Sequence, residues 1–317
     1  MPEGSLRFLL MVATVAIHLG LALVIGSLAS RAWMWRRSSA WSARVALQAI
    51  RASRLGFAMG LAGVAASAWF EAMEMSDSSL FSAGPAFASL IQNSHFGHAW
   101  DVGLVAWLTA ASLSSRRLAA TRRAGTFVWA LLAVAVFALT RSVVSHAGSQ
   151  GDFTIDVAAD WAHLVLVCLW VGIVLVGARL ALPGDPAPQD ERADAARWVS
   201  LMSTTATAAI VGIGATGLFK VWRGWAAAGS LPQYVGSDYG KALVVKLALV
   251  AFAATLGGLN RFVVLPRLFD GLRSEPAPGG DRWRSRLLLI LRVEAVTLLL
   301  VLSAAAVLST SELPGST

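Results

Sequence analysis

The chain has 317 residues, of which 56% are hydrophobic and only 14% are charged. Since about a quarter of the residues in a soluble domain carry charge, this composition excludes an ordinary soluble protein and indicates the lipid bilayer as solvent. The 26 Lys and Arg residues exceed the 18 Asp and Glu residues and give a net charge of +8, but they lie in short runs between apolar segments rather than on one basic face. We therefore expect no nucleic-acid partner.

Apolar segments long enough to cross a bilayer core of about 30 Å follow one another along the whole chain. The predicted spans are 6–29, 54–75, 96–114, 124–144, 157–182, 199–220, 239–260 and 286–309. The sequence thus predicts an all-α fold, a polytopic transmembrane helix bundle of about eight helices that forms a single transmembrane domain over residues 1–317.

The distribution of basic residues predicts the orientation of this bundle. Six arginines lie in 31–54, four in 116–123 and six in 261–286, whereas 76–94 contains no Lys or Arg. Basic loops remain cytoplasmic, so eight spans place both termini in the periplasm. The segment 183–198 contains prolines and acidic residues, and we interpret it as a cytoplasmic linker.

Motifs that would indicate an enzyme are missing from the sequence. We find no P-loop, nucleotide fingerprint, zinc-protease motif or nucleophile elbow. The single cysteine, Cys168, also excludes an intramolecular disulfide and a cysteine-rich metal cage. We therefore predict a transport or electron-transfer protein rather than an enzyme, in which any metal is bound by His, Met or carboxylate groups.

The first two spans contain polar and sulfur-containing residues that the bilayer tolerates poorly. His18 lies near the middle of the first span, with Met11 on the same helical face. The second span ends in Glu71, Met73 and Met75, which combine hard and soft metal ligands at the predicted periplasmic mouth. Small residues such as those at positions 56 and 60 are typical of close helix packing.

The other histidines lie at the same predicted side of the bilayer. His95, His98 and Asp101 open the third span at three-residue steps, so neighbours in this series share a helix face. His146 follows the fourth span. Each histidine alone is also explained as an interfacial or interhelical polar group, but their common location favours a joint function.

The fifth span carries one stripe of residues spaced by four, three and seven, namely Asp156, Asp160, His163 and Trp170. The segment from Asp160 to Leu164, followed by Trp170-Val-Gly172, resembles the aspartate/histidine/tryptophan-glycine helix of CopD-type copper-resistance membrane proteins.

A second set of motifs resembles the same family. Tyr239-Gly, Lys246 and Asn260-Arg261 are similar to its tyrosine-glycine helix, its lysine and its asparagine-arginine exit. Two further segments, Ser145-His-Ala and His95-Phe-Gly, resemble its histidine turn and a helix start. The resemblance covers roughly residues 90–270.

Membership of this family implies a multi-pass protein of the bacterial inner membrane that handles copper. It also implies inward copper transport beside a periplasmic copper carrier related to CopC. Imidazole and thioether groups suit copper, as Cu(I) or Cu(II), which agrees with the residues found.

We therefore expect four histidines to form a periplasmic-side copper site: His95, His98, His146 and His163. Its entrance would contain Glu71, Met73 and Met75, Asp160 would orient the His163 ring, and His18 would form a deeper step. For Lys246 and Glu294, which lie within spans, a structural ion pair is the favoured interpretation.

Two other functions remain open at the level of sequence. Two of the histidines could bind haem b axially in a membrane electron-transfer protein; without a Cys-x-x-Cys-His motif the haem would be non-covalent. Alternatively, the protein could hold copper for insertion into another membrane enzyme without transporting it.

Overall fold

The structure is a computed structural model that describes residues 3–115, 124–184, 187–228, 235–273 and 280–309. All regular structure in these residues is helical. Seven of the described helical segments are long and apolar enough to cross a membrane. The predicted all-helical, multi-pass membrane fold is therefore confirmed.

The described residues form ten α-helices, together with one 3₁₀ and one π-helix. The α-helices are α1 Glu3–Trp33, α2 Ala40–Ser76, α3 Gly84–Asn93, α4 His95–Leu113, α5 Ala124–Val143, α6 Ile155–Gly177, α7 Gln189–Ala228, α8 Asp238–Leu259, α9 Leu265–Arg273 and α10 Gly280–Ser309. The 3₁₀-helix is His146–Gln150, and the π-helix is Asn260–Val264.

Several helices are longer than their apolar spans. The predicted loop 31–54 is mostly helix, because α2 begins directly after Ser39, whose hydroxyl accepts a hydrogen bond from the Ser42 backbone N–H at 3.1 Å. The predicted linker 183–198 likewise includes the first turns of α7. An apolar window misses such extensions because their polar side chains lie beyond the hydrocarbon core.

The predicted span 96–114 corresponds to α4, which is 19 residues long but is not among the seven apolar helices. Its first two turns carry His95, His98 and Asp101, which lower its mean hydropathy. Because α4 packs along α5, it belongs to the bundle. A total of eight spans, with both termini in the periplasm, stays a prediction.

Helix α1 occupies the centre of the bundle and packs along α2 and α6. The contacts are close because glycines face each other: a Cβ atom on Gly20 would lie 2.6 Å from the Gly56 carbonyl oxygen and the Gly60 nitrogen. On the other side, a Cβ atom on Gly26 would lie 2.2 Å from the Gly172 carbonyl carbon. The predicted packing role of Gly56 and Gly60 is confirmed.

The arginine-rich loop after α1 pairs with the acidic start of α7. Asp194 accepts from the Ser39 hydroxyl at 2.7 Å and pairs with Arg37 at 3.3 Å, while Glu191 pairs with Arg44 at 2.8 Å. These acidic residues therefore tie α7 to the α1–α2 turn. We call this end of the bundle the arginine end, and the end that carries His95, His98 and His146 the histidine end.

Candidate functional site

A row of polar contacts joins α6 to α7 in the half of the bundle nearer the histidine end. Three α6 side chains each contact one α7 side chain. The pairs are Asp156 with Arg223, Asp160 with Lys220, and His163 with Thr216. We call these three pairs the polar ladder. Since polar side chains are costly within a bilayer, three consecutive pairs on one helix interface mark a candidate functional site.

The ladder changes character with depth. The outermost pair is bidentate, with nitrogen–oxygen distances of 2.9 and 2.7 Å between the Arg223 guanidinium and the Asp156 carboxylate. Next, the Lys220 ammonium donates to Asp160 Oδ1. The innermost pair is uncharged and joins His163 Nδ1 to Thr216 Oγ1 at 2.9 Å. Charge is thus replaced by neutral hydrogen bonding toward the bilayer centre.

Thr216 determines which nitrogen of His163 carries the proton. Its hydroxyl donates to the Gly212 carbonyl at 2.7 Å, so its oxygen acts as acceptor for the His163 Nδ1–H group. The neutral ring then carries its lone pair on Nε2. His163 therefore has a nitrogen suited to binding a metal ion. The Asp160 carboxylate, predicted to orient this ring, instead pairs with Lys220, because an ammonium is its natural charge partner.

Other helices add charges around the ladder. The charges of Asp160, Lys220, Lys246 and Arg141 all act on the half-buried His18 of α1. We call the ladder together with His18, Arg141 and Lys246 the polar cluster. The cations of the polar cluster outnumber its carboxylates, so electrostatic attraction alone would not hold a further cation at this place. A metal ion would be held through bonds to imidazole nitrogen, as soft Cu(I) is.

The three histidines of the histidine end are solvent-accessible in the structure. His95 Nε2 lies 2.8 Å from Asp152 Oδ1, and His98 and His146 are exposed. Within the described ranges, no three His, Cys, Asp or Glu residues form a group that could hold a metal ion. The joint site of four histidines therefore stays a prediction.

The predicted entrance residues at the end of α2 point in different directions. The Met73 side chain is 1% exposed and packs inside the bundle, whereas Met75 is 71% exposed. Glu71 is half-buried, and the neighbouring charge of Glu74 acts on it. Asp101 is exposed on α4. The two methionines thus do not share a face, and their role as copper ligands stays a prediction.

The ion pair expected between Lys246 and Glu294 is not formed. Glu294 Oε1 instead accepts a hydrogen bond from Trp170 Nε1 at 3.0 Å, with both side chains 2% exposed. Lys246 belongs to the polar cluster, where it acts on His18 and His163. The prediction was wrong because depth in the bilayer does not tell which helix faces meet.

The remaining residues singled out by resemblance lie on α8 and the π-helix. Tyr239 is half-buried in the first turn of α8. Asn260 opens the π-helix and is 4% exposed. Arg261 Nη1 donates to Ser203 Oγ on α7 at 3.0 Å. Arg261 therefore joins the π-helix to α7 toward the arginine end.

Sequence reasoning found the α6 half of the ladder and missed the α7 half. A usable signal was present, because Asp156, Asp160 and His163 are spaced by four and three residues, and their α7 partners are also spaced by four and three residues along the chain. Residues spaced by three or four share one helix face, so two antiparallel helices that each carry such a stripe can pair them. The α7 residues in question are Thr216, Lys220 and Arg223.

Comparison with known proteins bears on this α7 segment. A family model described as CopD, Copper resistance protein D, matches residues 193–308. This segment belongs to the CopD family. It includes most of α7, together with α8, the π-helix, α9 and nearly all of α10. The protein is therefore a multi-pass membrane protein that contains a CopD-type segment.

The CopD match differs in extent from the resemblance read off the sequence. It starts in the first turns of α7 and reaches 308, past the predicted limit of 270. Thr216, Lys220 and Lys246 of the polar cluster lie inside it, whereas His18 and His163 lie before it. No curated protein and no solved structure matches the chain.

Proposed function

We propose that this CopD-type protein receives copper at the periplasmic face of the bacterial inner membrane and carries it across the bilayer. The observation that carries the proposal is the CopD match over residues 193–308, which connects the chain to copper resistance. The polar cluster supports it, because this cluster gives the bundle a histidine with an available ring nitrogen away from the aqueous surface. Copper is the transported substrate in this account.

The path that we propose begins at the histidine end. His95, His98 and His146 are exposed there and would receive the ion, with Glu71 and Met75 at the end of α2 as the entrance residues. The ion would then move to His163 Nε2 and on to His18. Movement through a membrane protein favours several weak sites in succession over one tight site.

Asp160 and Lys220 would control entry to His163. In the structure the Lys220 ammonium forms an ion pair with the Asp160 carboxylate. An arriving copper ion is attracted by the carboxylate and repelled by the ammonium, so Lys220 has to move away for Asp160 to assist binding. Lys220 is 42% exposed at its side chain, which leaves it room to swing outward.

The proposal extends to a partner and a direction. A soluble periplasmic carrier related to CopC would deliver copper to the exposed histidines, and transport would run toward the cytoplasm. Both statements follow from the family resemblance. The exposed His95–Asp152 pair supports delivery from outside, because a carrier can reach it.

The test is the copper content and absorption spectrum of the purified protein after equilibration with copper under reducing and oxidising conditions. We expect the wild-type protein to bind copper and the His163→Ala variant to contain less bound copper per protein molecule. Cys168→Ala is the matched control, since Cys168 is buried on the same helix and should not change binding. Full binding in His163→Ala would remove His163 from the site, and a Soret band without bound copper would favour haem electron transfer.

A further inference from the structure

A second polar site lies away from the polar cluster, around the buried carboxyl group of Glu294. The Trp170 indole N–H donates to Oε1, which joins α6 to α10 across the bundle. Gly257 of α8 closes the third side: a Cβ atom at this position would lie 3.5 Å from the same oxygen. Glu294 is thus contacted by α6 and lies within van der Waals distance of Gly257 on α8.

Glu294 has no charged partner to hold it ionised. Within the described ranges the only hydrogen-bond partner of its carboxyl group is the neutral Trp170, and no ion pair reaches it from α1, α6, α8 or the π-helix. Lys246 of α8 acts on the polar cluster instead, Arg261 bonds Ser203, and Arg292 of the same helix is exposed. An unpaired carboxylate buried in a bilayer is costly, so a bound proton stabilises this group.

Asn260 supplies the second observation. It lies three residues after Gly257, at the start of the π-helix that packs against α10. The side chain is 4% exposed, yet neither its amide nitrogen nor its amide oxygen has a hydrogen-bond partner in the described structure. Buried amides are nearly always satisfied, so both atoms require ligands such as water. π-Helical turns frequently occur at functional sites.

From these observations, we propose that Glu294, Asn260 and Trp170 form a hydrated proton-binding site inside the membrane bundle. The ligand is a proton on Glu294, with water between the carboxyl group and the Asn260 amide. This site does not depend on the copper function and would exist in a protein that transports another cargo.

The hydrogen bonds balance in both states of the site. With the proton bound, Oε1 accepts from Trp170, and the acid O–H on Oε2 donates to a water molecule that donates in turn to Asn260 Oδ1. When the proton leaves through this water, the carboxylate keeps the Trp170 hydrogen bond. It then gains a donor from the water or from Asn260 Nδ2. The carboxyl group and Asn260 Oδ1 thus have partners in each state, and Asn260 Nδ2 needs an acceptor, which is the carboxylate when the proton has left and a further water molecule when it is bound.

Infrared difference spectroscopy of the purified full-length protein tests this site, because a carboxylic acid has a C=O stretch that a carboxylate lacks. We expect an acid band that shifts in D₂O, is lost in Glu294→Gln and is retained in Glu74→Gln, whose carboxyl group is exposed. Asn260→Leu should shift the band by removing the hydrogen-bonding partner. Where Glu294→Gln fails to fold, Trp170→Phe provides the second variant and should also shift the band.

Three outcomes would overturn the inference. The absence of an acid band at every pH at which the protein stays folded would mean that Glu294 is ionised. A band that does not respond to D₂O would mean that water does not reach the group. A band unchanged in Asn260→Leu would remove Asn260 from the site. None of these results bears on copper binding at His163, so failure here is distinguishable from failure of the copper proposal.

Discussion

The orientation of His163 depends on Thr216 rather than on the carboxylate one turn away. A hydroxyl that donates to its own helix backbone has a fixed direction, so its remaining lone pairs point to a fixed place. The imidazole Nδ1–H group meets one of them. A ring held in this way presents Nε2 in one direction, which reduces the entropy lost when a metal ion binds.

Replacing Thr216 tests this arrangement. Thr216→Val keeps the side-chain shape and removes the acceptor, so we expect copper affinity to fall by about 10- to 100-fold, the usual effect of losing a group that orients a ligand. Thr216→Ser should restore most of the affinity. Competition with a copper chelator measures it, and Thr207→Val, an exposed position on the same helix, is the control. Unchanged affinity in Thr216→Val would contradict the role.

The sequence predicted the positions of single residues where the spacing within one helix was enough to place them on a common face. The stripe that contains Asp160 and His163 follows from helical spacing alone, and their burial in the bundle follows from the apolar neighbours. Their partners were not predictable, because pairing requires the rotation and register of α7 relative to α6. The same limitation explains why Glu294 was assigned to Lys246 rather than to Trp170.

Among the elements, α1 determines how closely the bundle packs. In lipid there is little hydrophobic force between helices, so close backbone approach and dispersion contacts hold them together. Glycines on α1, α2 and α6 allow this approach. Gly172 is the tightest case, because a Cβ atom there would lie 1.9 Å from the Ala22 carbonyl oxygen.

Adding one methyl group at this contact should be costly. We expect Gly172→Ala to push α6 away from α1 and to lower stability by about 1–3 kcal/mol, the range for overpacking a tight core. Gly214→Ala is the matched control, since a Cβ atom at 214 has no neighbour within 4 Å. Thermal unfolding in detergent measures both variants. Equal stability of the two would show that α1 and α6 do not pack as described.

The sequence predicted where the helices cross the bilayer better than where they end. Apolar windows located the centres, but α2 and α7 continue with arginines and carboxylates that pair at the arginine end. The short helices α3 and α9 were missed because each is only nine or ten residues long and lies between spans. The π-helix was missed because no sequence period distinguishes it over five residues.

At the scale of the whole molecule, the two ends differ in chemistry. The arginine end joins basic residues of the α1–α2 turn and α2 to acidic residues of α7, and the histidine end carries the exposed imidazoles. Positive charge near the ends of spans is retained in the cytoplasm. We therefore expect the histidine end to face the periplasm, where copper would arrive.

Cysteine labelling tests this orientation. The native Cys168 is fully buried and should not react, so single cysteines can be introduced without replacing it. A membrane-impermeant maleimide should label Ser79→Cys in intact spheroplasts, and Ser38→Cys only after lysis. Both serines are exposed in the structure. The reverse labelling pattern would contradict the orientation.

The most direct test of copper transport is time-dependent copper accumulation in proteoliposomes that contain the protein in one orientation. The account predicts saturable accumulation from the histidine end, strongly reduced in His163→Gln and retained in Cys168→Ala. If copper bound to the wild-type protein but did not accumulate inside the vesicles above protein-free controls, the protein would hold copper without transporting it.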